Sequence, residues 1–549
     1  MYWSVAKTYA DDVIAGRIIA GAQVKAACRR FKRDLRRKEF IQHEDGERWC
    51  RFIERLPHVK GAWAAESKRF ALSPWQVFVV VNLYGFRVRA TGRRRFREGY
   101  IEVPRKNGKT FLMSALALGH MCIDGEYGAE VYCGATTEKQ AWEVFRPAKQ
   151  IAERTPALRE KYGLSVGAQA LTVQGVGSRF MPVIGDPGDG SSPSAAIADE
   201  FHEHRSSALV DTFITGMGAR QNPMMLYVTT AGSDTSGPCF QKRADVIRIL
   251  SRAVEDDTIF GIIYGLDEKD KWDKEAALKK ANPNYGVSVD PEFLSGQLAQ
   301  ARRSAAKQNS YRTKHLNEWV GAQSAWLNML AYQACRKKTI KLEDFRGSEC
   351  YAAVDLASKR DIACLAMLFE RGGHYFAFVR HYVAEQAIED GPDKYRAWHT
   401  AGWLTATPGN ITDYEYIEAD LEIIKSQHGI RDLAYDPFQA TQFATRLLAQ
   451  GYPMIEYGAT VRNFSEPMKE LEAMIVKRSI SFEHDPILQW MCGNVTAKVD
   501  AKDNVFPRKE REENKIDGVV ALIMCVGRMI RLREESNVYD TIDLASVPS

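Results

Sequence analysis

A short run at 103–110, Val-Pro-Arg-Lys-Asn-Gly-Lys-Thr, ends in Gly108, Lys109 and Thr110 between a predicted strand and a predicted helix. In such a loop the backbone N–H groups hold phosphates, Lys109 reaches the β and γ oxygens, and the Thr110 hydroxyl binds Mg²⁺. The full pattern GxxxxGK[ST] has glycine where this chain has Val103. The triplet alone is therefore equally compatible with an ordinary helix start.

Two adjacent carboxylates, Asp199 and Glu200, end the apolar run at 194–200. Beside a phosphate loop we expect Asp199 to hold Mg²⁺ through water and Glu200 to polarise the attacking water as a general base. Helix capping is the alternative role for such a pair. The loop and the acidic pair together predict an ATP-hydrolysing site.

Two further side chains are candidates for contacts with the nucleotide. Gln76 follows Trp75 ahead of the loop, where its amide would read adenine, although a helix start with a core tryptophan explains the pair equally well. Thr230 ends the predicted strand at 224–230, where a γ-phosphate sensor would lie. A strand end rich in threonine is the alternative.

A second group of carboxylates lies in the C-terminal part of the chain. Asp355 and Asp436 fall at the ends of predicted strands, and Asp517 opens an apolar helix. Burial of such groups is costly without a cation or a donor, so their convergence would bind two divalent metals and support phosphodiester hydrolysis. Asp436 in a turn and Asp517 at a helix start are the structural alternatives. Asp361 is a further candidate ligand or a loop carboxylate paired with Lys359 or Arg360.

The elements that position these residues predict an α/β protein with two α/β domains. Strands and helices alternate from about 60 to 250, as in a doubly wound sheet, and three strands in a meander, then a helix and a strand, follow from about 346. The meander order is that of a ribonuclease-H-like domain. We expect a basic helical N-terminal appendage at 1–50, a P-loop (ASCE-type) ATPase domain at 51–250, a helical lid or linker at 251–345, a nuclease domain at 346–535 and a flexible tail at 536–549.

Composition narrows the class of protein. The chain has 549 residues, of which 45% are hydrophobic and 26% charged, so it is neither disordered nor fibrous. Residues 1–110 carry 25 Lys and Arg against 11 Asp and Glu, which favours a polyanionic partner or a solvated basic face. The ten cysteines form no CxxC pair, which fits reduced thiols in a cytosol. We expect neither a secretory signal nor a membrane span.

These motifs, in this order, resemble the large terminase subunit of tailed double-stranded-DNA bacteriophages over roughly residues 50–530. The resemblance is carried by SPWQ and YGF, PRKNGKT, IADE, VTTAG, ANPNYGVSV, HLNEW, AAVDLAS with Asp361, YDPFQA and KIDGVVAL. These terminases often lack the first glycine of the loop and carry an arginine there, which is Arg105 in this chain. The resemblance implies that Arg105, Asn107, Gly108 and Lys109 contact the phosphates of ATP.

The family further implies a motor that pumps double-stranded DNA into the procapsid and a nuclease that cuts concatemers with Mg²⁺ or Mn²⁺. Its expected partners are DNA, the capsid portal protein, a small terminase subunit and further copies of the chain in a ring, expected to be a pentamer. Its expected place is the host cytoplasm and, transiently, the portal vertex, but not the mature virion. The trans-acting arginine stays open, with Arg205 and Arg220 among the candidates.

Two other functions compete with this interpretation. One is a DNA-stimulated translocase or helicase with an attached nuclease in defence or repair, although 251–345 has no recognisable second helicase core. The other is a DNA-binding or capsid-associated structural protein whose motifs are relics. The presence together of Lys109, Thr110, Asp199 and Glu200 argues against decay, because each is needed for hydrolysis.

Overall fold

The computed structural model describes residues 1–184, 190–235, 237–320, 326–356, 361–438, 440–500, 502–509 and 513–541. The chain forms two compact units, one made of residues 1–302 and 310–320 and the other of 303–309 and 321–549. Within the described residues, none of the helices combines the length and the apolar character needed to cross a bilayer.

The elements up to residue 320 surround one large sheet. The helices are α1 (Tyr2–Ile14), α2 (Ala22–Asp34), α3 (Asp45–Ile53), α4 (Ala62–Ala65), α5 (Pro74–Gly85), α6 (Lys109–Cys122), α7 (Glu138–Arg154), α8 (Pro156–Tyr162), α9 (Ala208–Gly216), α10 (Pro238–Leu250), α11 (Glu275–Ala281), α12 (Pro291–Arg303) and α13 (Ala305–Leu316). The strands are β1 (Phe40–Gln42), β2 (Phe86–Val88), β3 (Glu98–Glu102), β4 (Glu130–Ala135), β5 (Leu164–Val166), β6 (Leu171–Val173), β7 (Ser178–Ile184), β8 (Ala195–Asp199), β9 (Met224–Thr229) and β10 (Ile259–Ile263).

The first sheet has the order β10-β3-β9-β8-β4-β7-β6-β5. The strands from β10 to β7 run parallel, and β6 and β5 add an antiparallel edge. Buried parallel strands are mostly apolar, as in β8, whose five residues are all buried and are apolar up to the last one, Asp199. The order brings the carboxyl ends of β3, β9 and β8 side by side, and this edge is where an α/β sheet binds its ligands.

The N-terminal helices belong to the core of the first unit, where the sequence suggested an appendage. Tyr9 and Val13 of α1 and Phe31 of α2 are buried in the same hydrophobic cluster as the sheet. The Tyr9 hydroxyl lies 2.7 Å from that of Tyr264, which follows β10. Charged residues interrupt the apolar stripe, some of them exposed (Arg29, Arg33) and some buried (Arg30, Asp34), so the stripe is easily overlooked in the sequence.

Much of the positive charge at 1–110 is neutralised inside the unit. Arg95 forms ion pairs with Asp34 at 2.7 Å and with Asp257 at 2.9 Å. Arg94 forms a buried ion pair with Asp124. The sequence asymmetry therefore reflects internal pairing in part, and it overstates the charge presented to a polyanion.

Most of the remaining elements form a second sheet with helices on both faces, and the last two strands pair separately with each other. The helices are α14 (Met329–Cys335), α15 (Glu385–Glu389), α16 (Asp393–Thr400), α17 (Glu415–Gln427), α18 (Thr441–Ala449), α19 (Val461–Lys477), α20 (Pro486–Asn494) and α21 (Asp517–Thr541). The strands are β11 (Arg336–Lys337), β12 (Glu349–Asp355), β13 (Ala363–Arg371), β14 (His374–Ala384), β15 (Leu404–Thr407), β16 (Gly429–Tyr435), β17 (Met454–Glu456), β18 (Ile480–Glu483), β19 (Val495–Val499) and β20 (Val505–Lys509).

The second sheet has the order β11-β18-β14-β13-β12-β16-β17, with β15 beside β14. β12, β13 and β14 form the antiparallel meander that the sequence predicts, and β16 returns parallel to β12. Along β12, Tyr351 and Ala353 enter one core, and Ala352 and Val354 enter the other. This alternation follows from the period of two in a strand and confirms the predicted α/β class.

The strand β10 was not predicted, because residues 251–345 were expected to be helical and without a buried strand. Its run Ile-Phe-Gly-Ile-Ile is too short to distinguish a strand from a helix by periodicity. It pairs with β3 along its whole length and so forms the outer edge of the parallel sheet. The domain boundaries at 250 and 345 stay predictions.

Candidate active sites

The phosphate loop joins β3 to α6. Gly108 is the N-cap of α6, with φ 83° and ψ 14°, a left-handed conformation that glycine adopts without strain. Lys109 and Thr110 are the first two residues of the helix, so their backbone N–H groups belong to its unpaired first turn. The local geometry is that of an anion-binding helix start.

An asparagine brace holds this loop in shape. Asn107 donates from Nδ2 to Asn282 Oδ1 at 2.9 Å and accepts at Oδ1 from the Asn284 backbone N–H at 3.0 Å. Asn284 donates from Nδ2 to the Asn107 carbonyl at 3.0 Å and accepts from Trp75 Nε1 at 2.8 Å. The Asn107 side chain, predicted to contact nucleotide, is thus committed to the loop, and the ANPN motif supplies the partners.

Gln76 lies directly behind the loop. Its Oε1 accepts from the Ser73 backbone N–H at 3.0 Å, so Gln76 caps the start of α5, in agreement with the alternative of a helix start. Its Nε2 is buried with no hydrogen-bond partner, and a Cβ placed on Gly108 would lie 3.2 Å from it. One donor at the loop is therefore left for a ligand, and adenine recognition by Gln76 stays a prediction. Arg105 lies exposed on the loop.

A cavity of about 350 Å³ opens beside the brace. Trp75, Asn282 and Tyr285 line it together with Lys279 and Lys280. Aromatic walls with a few cations suit a flat ring that carries phosphates.

The acidic pair faces the loop. Lys109 Nζ lies 3.0 Å from Glu200 Oε1, and Asp199 Oδ1 accepts the Glu200 backbone N–H at 3.0 Å. Burial and then the Glu200 charge raise the pKa of Asp199 to about 7, against the effect of Lys109. Burial alone would raise the pKa of Glu200, but Lys109, His202 and Arg105 outweigh it and hold that pKa below its usual value. Asp199 is thus a buried carboxylate that a cation would stabilise.

His202 is a residue that the sequence reasoning missed. Its Nδ1 lies 3.3 Å from Glu200 Oε2 and 3.0 Å from Thr229 Oγ1, and its Nε2 lies 3.2 Å from Glu203 Oε1. The sequence signal that could have identified His202 is its position two residues after Glu200. Thr230, the predicted sensor, is buried next to Thr229, and its carbonyl accepts the Thr229 hydroxyl at 2.8 Å.

The two named candidates for the trans-acting arginine differ in their surroundings. Arg220 donates from Nε to the Ser192 carbonyl at 2.9 Å and from Nη2 to the Gly128 carbonyl at 3.0 Å. Arg205 is exposed. Arg220 therefore stabilises its own unit through hydrogen bonds, and Arg205 is the better placed of the two to reach another copy of the chain.

In the second unit three predicted carboxylates lie around one edge of the sheet. Asp355 is the last residue of β12, and Asp436 directly follows β16, which runs parallel beside it. Asp517 is the first residue of α21, the helix that packs against β12 and β13. Asp436 also closes a turn, because its Oδ1 accepts the Phe438 backbone N–H at 3.0 Å.

These carboxylates repel one another. Burial and then the charges of Asp517, Asp436 and Asp361 raise the pKa of Asp355 well above its usual value. The pKa of Asp517 is also raised, first by burial, and its Oδ2 is buried with no hydrogen-bond partner. Lys509, which the sequence reasoning did not single out, acts against both shifts. An unpaired buried carboxylate oxygen among like charges is the chemistry of a cation site.

The described carboxylates do not form a complete metal-binding site. Among the residues that the structure describes, no three His, Cys, Asp or Glu side chains are close enough to hold a metal ion. Asp361 forms an ion pair with Lys515, whereas Lys359 and Arg360, its predicted partners, lie outside the described residues. Carboxylates are the side chains that divalent cations prefer, and the repulsion among them favours a bound cation. The described side chains are not, however, arranged as a complete set of metal ligands.

A buried pair stands behind this edge. His381 Nε2 lies 2.6 Å from Asp485 Oδ2, and its Nδ1 lies 3.3 Å from Cys364 Sγ. Burial and the Asp517 charge raise the pKa of the Cys364 thiol well above its usual value, so this thiol is not a nucleophile. His381 is therefore a buried core histidine.

Comparison with known proteins decides the family. The family described as "Terminase large subunit, endonuclease domain" matches residues 253–533, and "Terminase large subunit, ATPase domain" matches residues 74–247. This chain belongs to the terminase large subunit family. It therefore carries an ATPase domain and an endonuclease domain, and its family acts on DNA with the phage packaging machinery.

Relatives of this terminase extend over most of the chain. Protein YmfN of Escherichia coli is 40% identical over 377 residues, which are 66% of this chain and 83% of that protein. The large subunit of the terminase of Enterobacteria phage HK97 is 25% identical over 498 residues, 88% of this chain and 95% of that protein.

Solved terminase structures are also similar to this chain. The crystal structure of the HK97 large terminase is 24% identical, covers 88% of this chain and 99% of its own, and has a TM-score of 0.43. A large terminase from a thermophilic bacteriophage was solved with ADP (12% identical, 79% and 94% covered, TM-score 0.30). A large terminase nuclease from another thermophilic phage was solved with magnesium (13% identical, 33% and 80% covered, TM-score 0.24).

Proposed function

We propose that this terminase large subunit hydrolyses ATP to move double-stranded DNA through the portal into the procapsid and cuts concatemeric DNA with a two-metal nuclease site. The observation that carries the proposal is the pairing of Lys109 with Glu200 in one unit, while Asp355, Asp436 and Asp517 surround one sheet edge in the other. Burial of each of these charged groups costs free energy, and a bound ligand or metal ion would offset that cost.

In the first unit the residues have separate roles. Gly108, Lys109 and Thr110 bind the phosphates, with Arg105 over them, and Gln76 donates its free Nε2 to the nucleotide. Asp199 and Thr110 would hold Mg²⁺, which neutralises phosphate charge when bound. Glu200 accepts the proton of the attacking water, and Thr230 reports the γ-phosphate. Asn107 supports the loop through its fixed side chain.

In the second unit Asp355, Asp436 and Asp517 would hold Mg²⁺ or Mn²⁺. Such ions activate water and stabilise the leaving oxygen in phosphodiester hydrolysis. Lys509 lies close enough to oppose the charge of these carboxylates, which suits a group that meets the DNA backbone. Cutting by this chemistry would read the backbone rather than the bases.

The proposed partners follow from the family. They are double-stranded DNA, the capsid portal protein, a small terminase subunit and further copies of the chain in a pentameric ring, with Arg205 as a candidate to act on a neighbour's ATP. The protein would work in the host cytoplasm and at the portal vertex and would be absent from the mature virion. A translocase with an attached nuclease in defence or repair is the second candidate.

The test uses the full chain with procapsids that carry the portal. ATP, Mg²⁺ and linear DNA are added, and DNA inside the capsid is measured by its protection from added nuclease. Protected DNA that depends on ATP and on Lys109 supports packaging. DNA-stimulated ATP hydrolysis and cutting without protected DNA, under conditions where a known terminase fills its own procapsids, would favour the translocase.

A further inference from the structure

His202 lies between the predicted catalytic base and the end of the neighbouring strand β9. Its backbone N–H and its Nδ1 are each 3.0 Å from Thr229 Oγ1, and its Nδ1 is 3.3 Å from Glu200 Oε2. Thr229 is the last residue of β9 and is buried. One side chain thus touches both the strand expected to sense the γ-phosphate and the carboxylate expected to activate water.

The hydrogen-bond directions fix the proton on the ring. The Thr229 hydroxyl donates to the Thr230 carbonyl at 2.8 Å, so its oxygen is left to accept from His202. Nδ1 must then carry the hydrogen, and that same N–H faces the Glu200 carboxylate. A donor shared between a hydroxyl and a carboxylate orients the carboxylate with respect to the strand.

Packing prevents the ring from moving alone. A Cβ added to Gly232 would lie 3.0 Å from His202 Cβ and 3.2 Å from its Cδ2. The backbone of the segment 229–232 therefore lies against one side of the ring while Thr229 binds its Nδ1. A shift of this segment has to move His202 with it.

The Glu200 carboxylate has two basic neighbours. The backbone of Glu200 is left-handed, with φ 47° and ψ 48°, a costly conformation for glutamate that the surrounding contacts maintain. Lys109 lies 3.0 Å from Oε1, and His202 lies 3.3 Å from Oε2. Phosphates that draw Lys109 away would leave His202 as the contact that places this carboxylate.

We propose that His202 is a positioning residue that carries the displacement of segment 229–232 to the Glu200 carboxylate and so turns it from Lys109 toward the attacking water. The inference rests on the proposed ATP hydrolysis and adds the route by which phosphate sensing controls it. Its role is distinct from that of Glu200, since His202 contacts Glu200 and Thr229 and would act through them.

The experiment compares two near-isosteric substitutions in the full chain. His202→Asn places an amide near the Nδ1 position and keeps the contact to Thr229 and Glu200, whereas His202→Gln places it near Nε2 and keeps only the contact to Glu203. We expect His202→Gln to lower the kcat of ATP hydrolysis about tenfold or more, with KM for ATP changed less than about threefold. We expect His202→Asn to stay within about threefold of the wild-type kcat.

A second pair tests the link from the other side. Thr229→Val removes the acceptor at constant volume and should lower kcat as His202→Gln does, while Thr229→Ser keeps the hydroxyl and should retain it. Thermal unfolding of all four variants checks that they are folded. Equal kcat for Asn and Gln at position 202, together with equal kcat for Val and Ser at 229, would overturn the inference. ATP hydrolysis that does not need Lys109 would instead overturn the proposed function itself.

Discussion

Lys109 Nζ lies 3.0 Å from Glu200 Oε1, so the cation expected to meet phosphate is paired with the carboxylate expected to meet water. The lysine side chain is 6% exposed and that of Glu200 is 24% exposed, so the pair is only partly screened by solvent. A nucleotide that binds the loop must compete with Glu200 for Lys109.

Replacement of Lys109 by alanine tests the first site. Lys109→Ala should lower ATP hydrolysis by at least about a hundredfold, because it removes the cation that meets the phosphates, while metal-dependent cutting of DNA by the same full chain persists. Lys161→Ala, at an exposed lysine of α8, is the control and should match the wild type. ATP turnover at the wild-type rate in Lys109→Ala would exclude the loop as the nucleotide site.

Replacement of Asp355 by asparagine tests the second site. Asp355→Asn should abolish cutting of plasmid DNA in Mg²⁺ or Mn²⁺ and leave ATP hydrolysis within about twofold, because it removes one anionic ligand without changing volume. Asp393→Asn changes a side chain that is 86% exposed and serves as the charge-matched control. The same result is expected for Asp436→Asn and Asp517→Asn, and any variant that still cuts would remove its residue from the site.

The asparagine brace gives a graded prediction for nucleotide affinity. Asn284→Ala leaves Trp75 Nε1 and the Asn107 carbonyl without their partners, a cost of about 1–3 kcal/mol for each. We expect a lower unfolding temperature and about tenfold weaker binding of a fluorescent ATP analogue, since the loop loses its fixed shape. Ser288→Ala removes the hydrogen bond to the Lys106 carbonyl and the one that Ser288 Oγ accepts from Asn284 Nδ2 at 3.2 Å, but it keeps Trp75 and Asn107 paired with Asn284 and should have a smaller effect. Equal affinity in Asn284→Ala and wild type would show that the brace is unimportant for binding.

The buried pair of Arg94 and Asp124 predicts how stability depends on pH. Burial opposes the Asp124 charge, but Arg94 and His120 outweigh it and lower the pKa of Asp124 to about 2. Because the pKa is lower in the folded state, the contribution is fully present above pH of about 4 and is lost as pH falls toward about 2. Urea unfolding at a series of pH values measures this loss.

The matched variant for that measurement is Asp124→Asn. It should be less stable than the wild type at pH 7 by about 3–5 kcal/mol, because Arg94 stays buried without its partner. Between pH 4 and pH 2 its stability should fall less steeply. Parallel curves for the two proteins would contradict the assigned role of Asp124.

The sequence was informative where a local pattern carries the signal. The strands that end at Asp199 and Asp355 are apolar runs followed by a carboxylate, and both lie where periodicity and composition predict. Lys109 at the start of α6 is visible for the same reason, since the loop, strand and helix are contiguous.

Contacts distant in the chain could not be predicted in this way. Trp75 and Asn107 meet Asn284, more than 170 residues from the loop, through hydrogen bonds that no local pattern encodes. His202 lies two residues after the IADE motif, and its importance comes from its contact with Thr229 on another strand. The carboxylates of the second unit show the same limit, because strand order predicts that they are near one another and only packing fixes their spacing.

The asparagine brace also determines when, during synthesis of the protein, the phosphate loop can acquire its final shape. Asn107 and Asn284 are 177 residues apart, so the nascent loop has no partner while the intervening chain is being made. Domains generally fold as units, from the N-terminal end first, as they leave the ribosome. A chain that ends before Asn284 would contain the loop and the acidic pair but lack the asparagine brace. We therefore expect newly made protein to gain tight ATP binding only after Asn284 has emerged.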